Sequence, residues 1–364
     1  MAYDIEQLLS LPKLMEVVEA VKSGLPNPLP SEFFSITEDM PGHMGRYFAT
    51  KGQRRVARRV EYGAPALNRE QKGFDSRDVK LLHSFEEMTL DPYVLVQLMS
   101  LDAYQNDMGA METARQVREF TQLQHNLEIA AVAQVLANGA IYFNDDGNLL
   151  PSSSGAEFTI DFDVPAGNKN QLDWDGSGAI IGASWATATT NIPLDLREID
   201  IAGTRLTGFP PWGVIYGRNV PEYFTQNNYV KDFFYRNMKM NPEYLNTGQV
   251  PDGLFNLRWF PGYTMFFEDE TATFRSLVGD DTCIFFPKPD RNWWTFMRGT
   301  TPVPNSIDIQ TSLQAAVAAL TQAKGLFLYG RLLDNPCKIV LRGGNTFLPI
   351  VKNPDVLFIA DVTP

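Results

Sequence analysis

The sequence predicts an α+β fold in which one long helix and several groups of strands occupy different parts of the chain. The chain has 364 residues, of which 44% are hydrophobic and 12% aromatic, so it can bury a core and is not disordered throughout. One helical stripe of apolar residues runs through positions 112–138, and strand-like runs dominate the second half. At about 100–200 residues per domain, the length suggests two or three domains or one elaborate domain.

The first 42 residues predict an N-terminal arm. Apolar residues between positions 4 and 22 recur at near-helical spacing, and Pro12 is expected to break or kink this helix. The following stretch, GLPNPLPSEFF, has three prolines within seven residues, which ends any helix. We therefore expect residues 1–42 to form a short amphipathic helix followed by an extended segment.

The charge of the chain is divided between two regions of opposite sign. Between Arg46 and Lys80 there are ten basic and four acidic residues, a net charge of +6, whereas the rest of the chain carries −18. A basic segment on an acidic body is typical of a protein that binds something negatively charged. Two partners fit this pattern: nucleic acid, and the acidic body of a neighbouring copy of the same chain.

The basic segment is predicted to form a long, hairpin-like loop. Strand-like runs at Gly52–Tyr62 and Asp78–Phe85 flank a tip that contains Gly, Pro and Asn. A two-stranded ribbon alone is marginally stable in water, and the segment lacks the interleaved aromatic residues that favour single-stranded nucleic acid. We therefore expect it to lie on another subunit. The residues expected to make this contact are Arg54, Arg55, Arg58, Arg59, Arg69 and Lys72.

The strongest periodic segment is METARQVREFTQLQHNLEIAAVAQVLANGAI. Its apolar residues recur at three- and four-residue steps, and Gly139 supplies the stop. About 27 residues at 1.5 Å each give a rod of roughly 40 Å, which is too long for one small core. The helix should therefore span the molecule. The core residues expected on it are Val117, Phe120, Leu123, Leu127 and Val135.

The remaining chain is predicted to contain short helices and strands. AIYFNDDGNLLP and EFTIDFDVP indicate a β-hairpin, Asn191 is expected to cap a helix, and VPEYFTQNNYVKDFFYR predicts another. Successive antiparallel strands are expected in LFNLRWFPGYTMFFEDE, TATFRSLVG and TCIFFPKP. TSLQAAVAALTQAKG predicts a short helix that ends at Gly325, and CKIVLRGGN and DVLFIADV predict the final strands.

Little in the sequence points to catalysis. The chain has three histidines, His43, His83 and His125, and two cysteines, Cys283 and Cys337, too few for a disulfide framework or a zinc cluster. The motifs GxxxxGK[ST], HExxH and GxSxG do not occur. We therefore expect no catalytic residue, no metal site and no cofactor. The lack of a run of about 18 apolar residues predicts no membrane-spanning helix, and the N-terminus has no secretory signal pattern. The polar face of the N-terminal helix carries acids instead of a basic excess, so we expect no membrane partner.

The chain contains, in order, an N-terminal arm, a basic loop, a long helix and an α+β body. This order resembles the Hong Kong 97 fold of tailed-bacteriophage major capsid proteins. More closely, the chain resembles the lambda-type major capsid protein E family, over nearly its whole length. The resemblance is carried by ETARQVREFTQLQHNLEIAAVAQVLANGAI, SWATATTNIPLDLREIDIAG, VIYGRNVPEYF, WFPGYTMFFEDETATFRSLVGDDTCIFFPKP and LYGRLLDNPCKIVLRGGNTFLPIVKNPDVLFIADV.

The resemblance implies a division of the chain into five segments. Residues 1–42 are the N-terminal arm, and residues 43–91 are an extended β-hairpin loop that overlaps a neighbouring subunit. Residues 92–190 form a peripheral domain with the spine helix and a β-hairpin. Residues 191–330 form an axial domain that lines the capsomer centres, and residues 331–364 are strands that return to the peripheral domain.

The resemblance also implies a structural, non-enzymatic function. The chain is expected to self-assemble into hexamers and pentamers of an icosahedral shell that encloses double-stranded DNA without sequence-specific binding. It would reside in the virion after assembly in the host cytoplasm. A separate scaffolding protein is implied, with a decoration protein and a portal as further partners. The alternatives are a nucleic-acid-binding protein that uses residues 46–80 and a cellular encapsulating compartment protein of the same fold.

Overall fold

The structure, a computed structural model, describes residues 11–49, 75–98, 100, 102–145, 147–176, 178–236, 250, 253–268, 274–304, 320–334 and 337–364. The helices in these ranges are α1 (Leu11–Gly24), α2 (Glu32–Ser35), α3 (Pro92–Leu98), α4 (Ala103–Asn138), α5 (Ile192–Thr207), α6 (Val220–Gln226) and α7 (Asn228–Arg236). The strands are β1 (Thr37–Met40), β2 (Met44–Ala49), β3 (Asp75–Lys80), β4 (Leu82–Thr89), β5 (Ala140–Phe143), β6 (Leu149–Leu150), β7 (Phe158–Asp161), β8 (Lys169–Asn170), β9 (Gly213–Tyr216), β10 (Arg258–Pro261), β11 (Phe266–Glu268), β12 (Phe274–Ser276), β13 (Thr282–Phe286), β14 (Trp294–Pro304), β15 (Leu320–Lys324), β16 (Phe327–Asp334), β17 (Cys337–Val351) and β18 (Phe358–Asp361).

Helix α4 is the spine helix that the sequence predicts, and it is longer than expected. It has 36 residues, or about 54 Å, and begins at Ala103 rather than near position 112. The apolar stripe in the sequence does not extend to the first turns, because their large apolar residues, Tyr104, Met108 and Met111, are exposed. The predicted stop is confirmed: Gly139 has φ 70°, and a Cβ there would lie 2.4 Å from Cγ2 of Val164.

A six-stranded sheet packs against the spine helix. Its longest strand, β17, pairs antiparallel with β4, β14 and β16, and β14 also pairs with β1 and β15. The contact between helix and sheet is close, because a Cβ on Gly343 of β17 would lie 2.4 Å from Cζ of Phe120. Leu14 and Val18 of the arm helix α1 join the same core as Phe120 and Leu341. The arm is thus part of the hydrophobic core of this sheet.

A second core surrounds a five-stranded sheet of order β10-β9-β13-β18-β8. As predicted, Asn191 caps α5: its Oδ1 accepts a hydrogen bond from the Leu194 N–H at 3.2 Å. The predicted succession of antiparallel strands is confirmed for β11 and β12. It is wrong for β13, which pairs antiparallel with β9 and β18 instead of β12, and for β10, which pairs in parallel with β9. The predicted β-hairpin after the spine helix is also confirmed, as the three-stranded sheet β6-β5-β7.

The single helix predicted over residues 220–236 is two helices, because Asn227 interrupts it. Asn227 has extended backbone angles, φ −70° and ψ 130°. Its buried side chain donates to the carbonyl of Thr190 at 2.7 Å and accepts from the Val230 N–H at 3.1 Å. These side-chain bonds replace the backbone bonds of a continuous helix.

The helix predicted to end at Gly325 is wrong over its last residues. Residues 320–324 form β15, which pairs antiparallel with the end of β14, and Gly325 (φ 66°) turns the chain into β16. A long-range pairing therefore overrides the local preference for helix. The predicted loop strand Asp78–Phe85 is divided into β3 and β4 at Leu81, and its predicted partner Gly52–Tyr62 lies outside the described residues.

Candidate assembly surfaces

The base of the predicted extended loop is an antiparallel ribbon of β2 and β3. Arg46 lies opposite Asp78 in the register, and its Nε and Nη2 donate to the two carboxylate oxygens at 2.6 and 3.0 Å. This hydrogen bond lowers the pKa of Asp78. Both side chains are exposed, so the pair fixes the register of the ribbon rather than contributing a buried contact.

Arg77 attaches the ribbon to the rest of the protein. It donates to Asp75 at 3.1 Å and to Asp163, beyond the end of β7, at 2.5 Å. On the same ribbon, Tyr47 is buried in a third hydrophobic core, formed with residues of the spine helix, β14 and β17, and burial raises its pKa. Tyr47 and Arg77 are partners in the β2–β3 register, so the same face of the loop base carries both the buried tyrosine and the arginine that forms the ion pairs.

The six basic residues predicted to contact a neighbour, Arg54, Arg55, Arg58, Arg59, Arg69 and Lys72, lie outside the described residues. The structure does show where their segment leaves and returns. Ala49 and Asp75, the residues that flank positions 50–74, are partners in the β2–β3 register. The basic segment therefore begins and ends at one point, at the tip of a ribbon anchored to the body.

The predicted core residues of the spine helix do not all lie in the core. Val117, Phe120 and Val135 are buried, and Leu127 is half-buried. Leu123 is 57% exposed, so its assignment to the core is wrong. The reason is angular: at 100° per residue, Leu123 lies about 120° around the helix from Val117. The three-residue step from Phe120 leads away from the buried face.

The spine helix carries a buried carboxylate, Glu128, that joins three elements. Lys22 of the arm helix lies 2.6 Å from Glu128 Oε2, and Asn345 of β17 donates to Glu128 Oε1 at 2.8 Å. Burial alone would raise the pKa of Glu128, but the neighbouring His125, Lys22 and Asn345 lower it to about 2. The carboxylate thus ties the arm to the spine helix and to the central strand. The sequence does not reveal the role of Glu128, because Lys22 and Asn345 lie 106 and 217 residues away from it along the chain.

His125 occupies the same buried region without a hydrogen bond of its own. Its side chain is 7% exposed, its Nδ1 lies 4.0 Å from Glu128 Oε2, and neither ring nitrogen has a hydrogen-bond partner. Its ring packs against Phe34 with centroids 6.4 Å apart. His125 therefore has a structural environment.

Two neighbouring helices expose large apolar side chains. Tyr93 and Val96 of α3 are 68% and 64% exposed, and Tyr104, Met108 and Met111 of α4 are 72%, 43% and 68% exposed. The three α4 residues follow the i, i+4, i+7 spacing of one helix face. An exposed apolar helix face of this kind is typical of a surface that binds another protein.

Two groups in the described part of the chain, Cys283 and Asp195, owe their raised pKa values to burial. Cys283 is fully buried, and burial raises its pKa. Burial also raises the pKa of Asp195 to about 6, although Trp185 Nε1 donates to its carboxylate at 2.8 Å. Within the described part of the chain, no group of three His, Cys, Asp or Glu residues could hold a metal ion. No helix in those ranges has the length and apolar character needed to cross a membrane.

Comparisons with known proteins place the chain among capsid proteins. A family model described as phage major capsid protein E matches residues 10–362. A crystal structure of a protein of Escherichia coli CFT073, described as a prophage capsid protein, has 12% identity and a TM-score of 0.58 over 97% of this chain and 99% of that chain. A phage-related protein of Bordetella bronchiseptica RB50 has 10% identity and a TM-score of 0.53 over 95% and 96%. No curated protein sequence matches the chain.

Proposed function

The chain belongs to the phage major capsid protein E family, and from this premise we propose how it assembles. Its role is structural: the chain is a capsid subunit with a Hong Kong 97-like fold. We propose that copies form hexamers and pentamers of an icosahedral shell around double-stranded DNA. The match over residues 10–362 carries this proposal and favours it over a nucleic-acid-binding protein or a cellular encapsulating compartment.

In this proposal the loop of residues 43–91 reaches a neighbouring subunit. The support is the charge of the segment and its position: residues 50–74 leave from one point on a ribbon that Tyr47 and Arg77 anchor to the body. The arginines at 54, 55, 58 and 59 would steer this segment to the acidic body of the next copy. Apolar contacts, such as those of the exposed apolar residues of α3 and α4, would supply most of the free energy of binding between subunits.

The acidic body also suits an inner surface that holds DNA without trapping it. With a net charge of −18 outside residues 46–80, the body repels the phosphate backbone. We further propose that a separate scaffolding protein directs assembly in the host cytoplasm, and that a decoration protein and a portal join the virion. The peripheral domain (92–190), the axial domain (191–330) and the C-terminal strands (331–364) are the divisions we propose within the subunit.

Neutralising the loop tests this proposal. The combined variant Arg54→Gln, Arg55→Gln, Arg58→Gln and Arg59→Gln should yield no shells in negative-stain electron microscopy, while its circular dichroism and unfolding midpoint stay those of the original chain. The matched control replaces four exposed arginines of the body by Gln, Arg197, Arg205, Arg218 and Arg291, and should still form shells. Normal shells from the loop variant would contradict the assignment of the loop.

A further inference from the structure

The first turns of helix α4 carry an apolar patch, the α4 face, formed by Tyr104, Met108 and Met111. All three side chains are exposed. At 100° per residue they lie within an arc of about 60° around the helix, so they form one continuous surface. Three large apolar side chains in one patch are expected to be covered in the assembled protein.

Two opposite charges flank the α4 face on the same side. Asp107 lies about 60° and Arg118 about 40° from Tyr104, in the same direction around the helix. Both are exposed, and among the described residues neither has an ion-pair partner, whereas Arg115 makes the ion pairs of this helix surface. Asp107 and Arg118 cannot pair with each other within one chain, because they are about 16.5 Å apart along the helix.

The order of these residues is self-complementary about Met111. In two antiparallel copies of α4 related by a two-fold axis at Met111, residues at equal distances before and after Met111 lie opposite each other. Tyr104 is seven residues before Met111 and Arg118 is seven after it, so the guanidinium of one copy would lie over the tyrosine ring of the other. Asp107 would lie within one helical turn of the same arginine and on the same side of the pair.

We infer that the α4 face binds the same face of a second copy as an antiparallel, two-fold-related helix pair. The inference rests on the proposed function, because an icosahedral shell contains two-fold axes and each of them needs a surface that matches itself. Charge complementarity selects a second copy as the occupant: the acid and the base that have no partner within the described part of one chain become partners between two chains. The apolar side chains at the centre would supply the free energy of binding, and the two Asp107–Arg118 pairs would fix the register.

Disulfide cross-linking in assembled shells tests this helix pair. Met111→Cys is introduced into a Cys337→Ser chain, in which the remaining native cysteine, Cys283, is buried. Purified shells are oxidised with copper phenanthroline and analysed by non-reducing electrophoresis. Helix axes about 8–10 Å apart bring facing Cα atoms within the range of about 4–7 Å that a disulfide needs, so most chains should run as dimers.

Two comparisons in the same background test the register. Leu123→Cys, exposed on another side of the same helix, should give no dimers, because its two copies would lie about 36 Å apart. Tyr104→Cys and Arg118→Cys should each give none alone, at about 21 Å from their own copies, whereas the variant with both should form dimers. Shells of Met111→Cys without dimers, equal cross-linking of Leu123→Cys, or a cross-link to another protein would overturn the inference.

Exchanging the two charges gives a readout that needs no cysteine. Asp107→Arg places like charges together between copies and should raise the protein concentration needed for assembly about tenfold, and Asp107→Arg combined with Arg118→Asp should restore it. Circular dichroism of the free subunits should be the same for all three chains. No effect of Asp107→Arg, or no recovery in the double variant, would overturn the inference alone, whereas failure of the original chain to form shells would overturn the proposed function with it.

Discussion

Replacing Lys22 by Met should destabilise the unassembled subunit by about 3 kcal/mol, because it leaves the buried carboxylate of Glu128 without its counter-charge. Removing one partner of a buried ion pair costs about 3–5 kcal/mol. The lower end applies here, because the Lys22 side chain is 27% exposed and Asn345 still donates to Glu128 at 2.8 Å. Urea unfolding followed by tryptophan fluorescence measures the change.

The pH dependence of stability gives the same pair a second test. The pKa of Glu128 in the folded protein is about 2, below its ordinary value of 4.5. The stabilisation is therefore present above about pH 4.5 and is lost as the pH falls towards 2, a contribution of about 3 kcal/mol. In Lys22→Met the pKa of Glu128 rises towards or above its ordinary value, so the loss of stability between pH 4.5 and 2 should shrink or change sign.

Two further variants separate the ion pair from a general effect on the arm helix. Lys22→Met combined with Glu128→Gln should recover most of the loss, because no charge remains buried and the amide oxygen still accepts from Asn345. Lys13→Met breaks an exposed pair with Glu16 on the same helix and should change stability by less than about 0.5 kcal/mol. The reasoning is refuted if Lys22→Met is as mild as Lys13→Met, or if the double variant is less stable than Lys22→Met.

Three other predictions concern the unassembled subunit and use the same unfolding assay. Phe120→Ala should cost about 3–5 kcal/mol, whereas Leu123→Ala, on the exposed face, should stay within about 0.5 kcal/mol; equal losses would contradict the orientation of the helix. Gly139→Ala should cost about 2 kcal/mol or more, because φ is 70° and the Cβ meets Val164; a neutral result would contradict the helix end. Asp195→Asn should stabilise by about 1 kcal/mol at pH 7, because the raised pKa of half-buried Asp195 means that its ionisation destabilises the fold as the pH rises from about 4 past 6. An advantage that does not shrink at pH 4 would contradict that cause.

The features that the sequence predicts correctly are those with local signals. Gly139 ends the spine helix because of its own backbone freedom, and Asn191 caps α5 through a residue three positions away. The features it misses depend on distant contacts. Residues 320–324 are a strand because β14 is beside them, and Asn227 breaks a helix by bonding to Thr190.

The candidate assembly surfaces also combine features with local signals and features that depend on distant contacts. The charge of residues 46–80 is visible in the sequence, whereas the described ribbon pairs residues 44–49, where the sequence predicts no strand, with residues 75–80. Leu123 fits the three- and four-residue spacing of the apolar pattern, but the angle that these steps add up to carries it off the buried face. The Lys22–Glu128 pair depends on tertiary positions that no local pattern encodes.

Electron microscopy of the purified protein tests the central claim most directly, namely that copies of this chain build a shell. The chain is expressed together with the products of its neighbouring genes, separated by sedimentation and imaged by negative stain. Closed particles, tubes or hexamers containing this chain are the predicted result. A strictly monomeric species at high concentration would contradict the account.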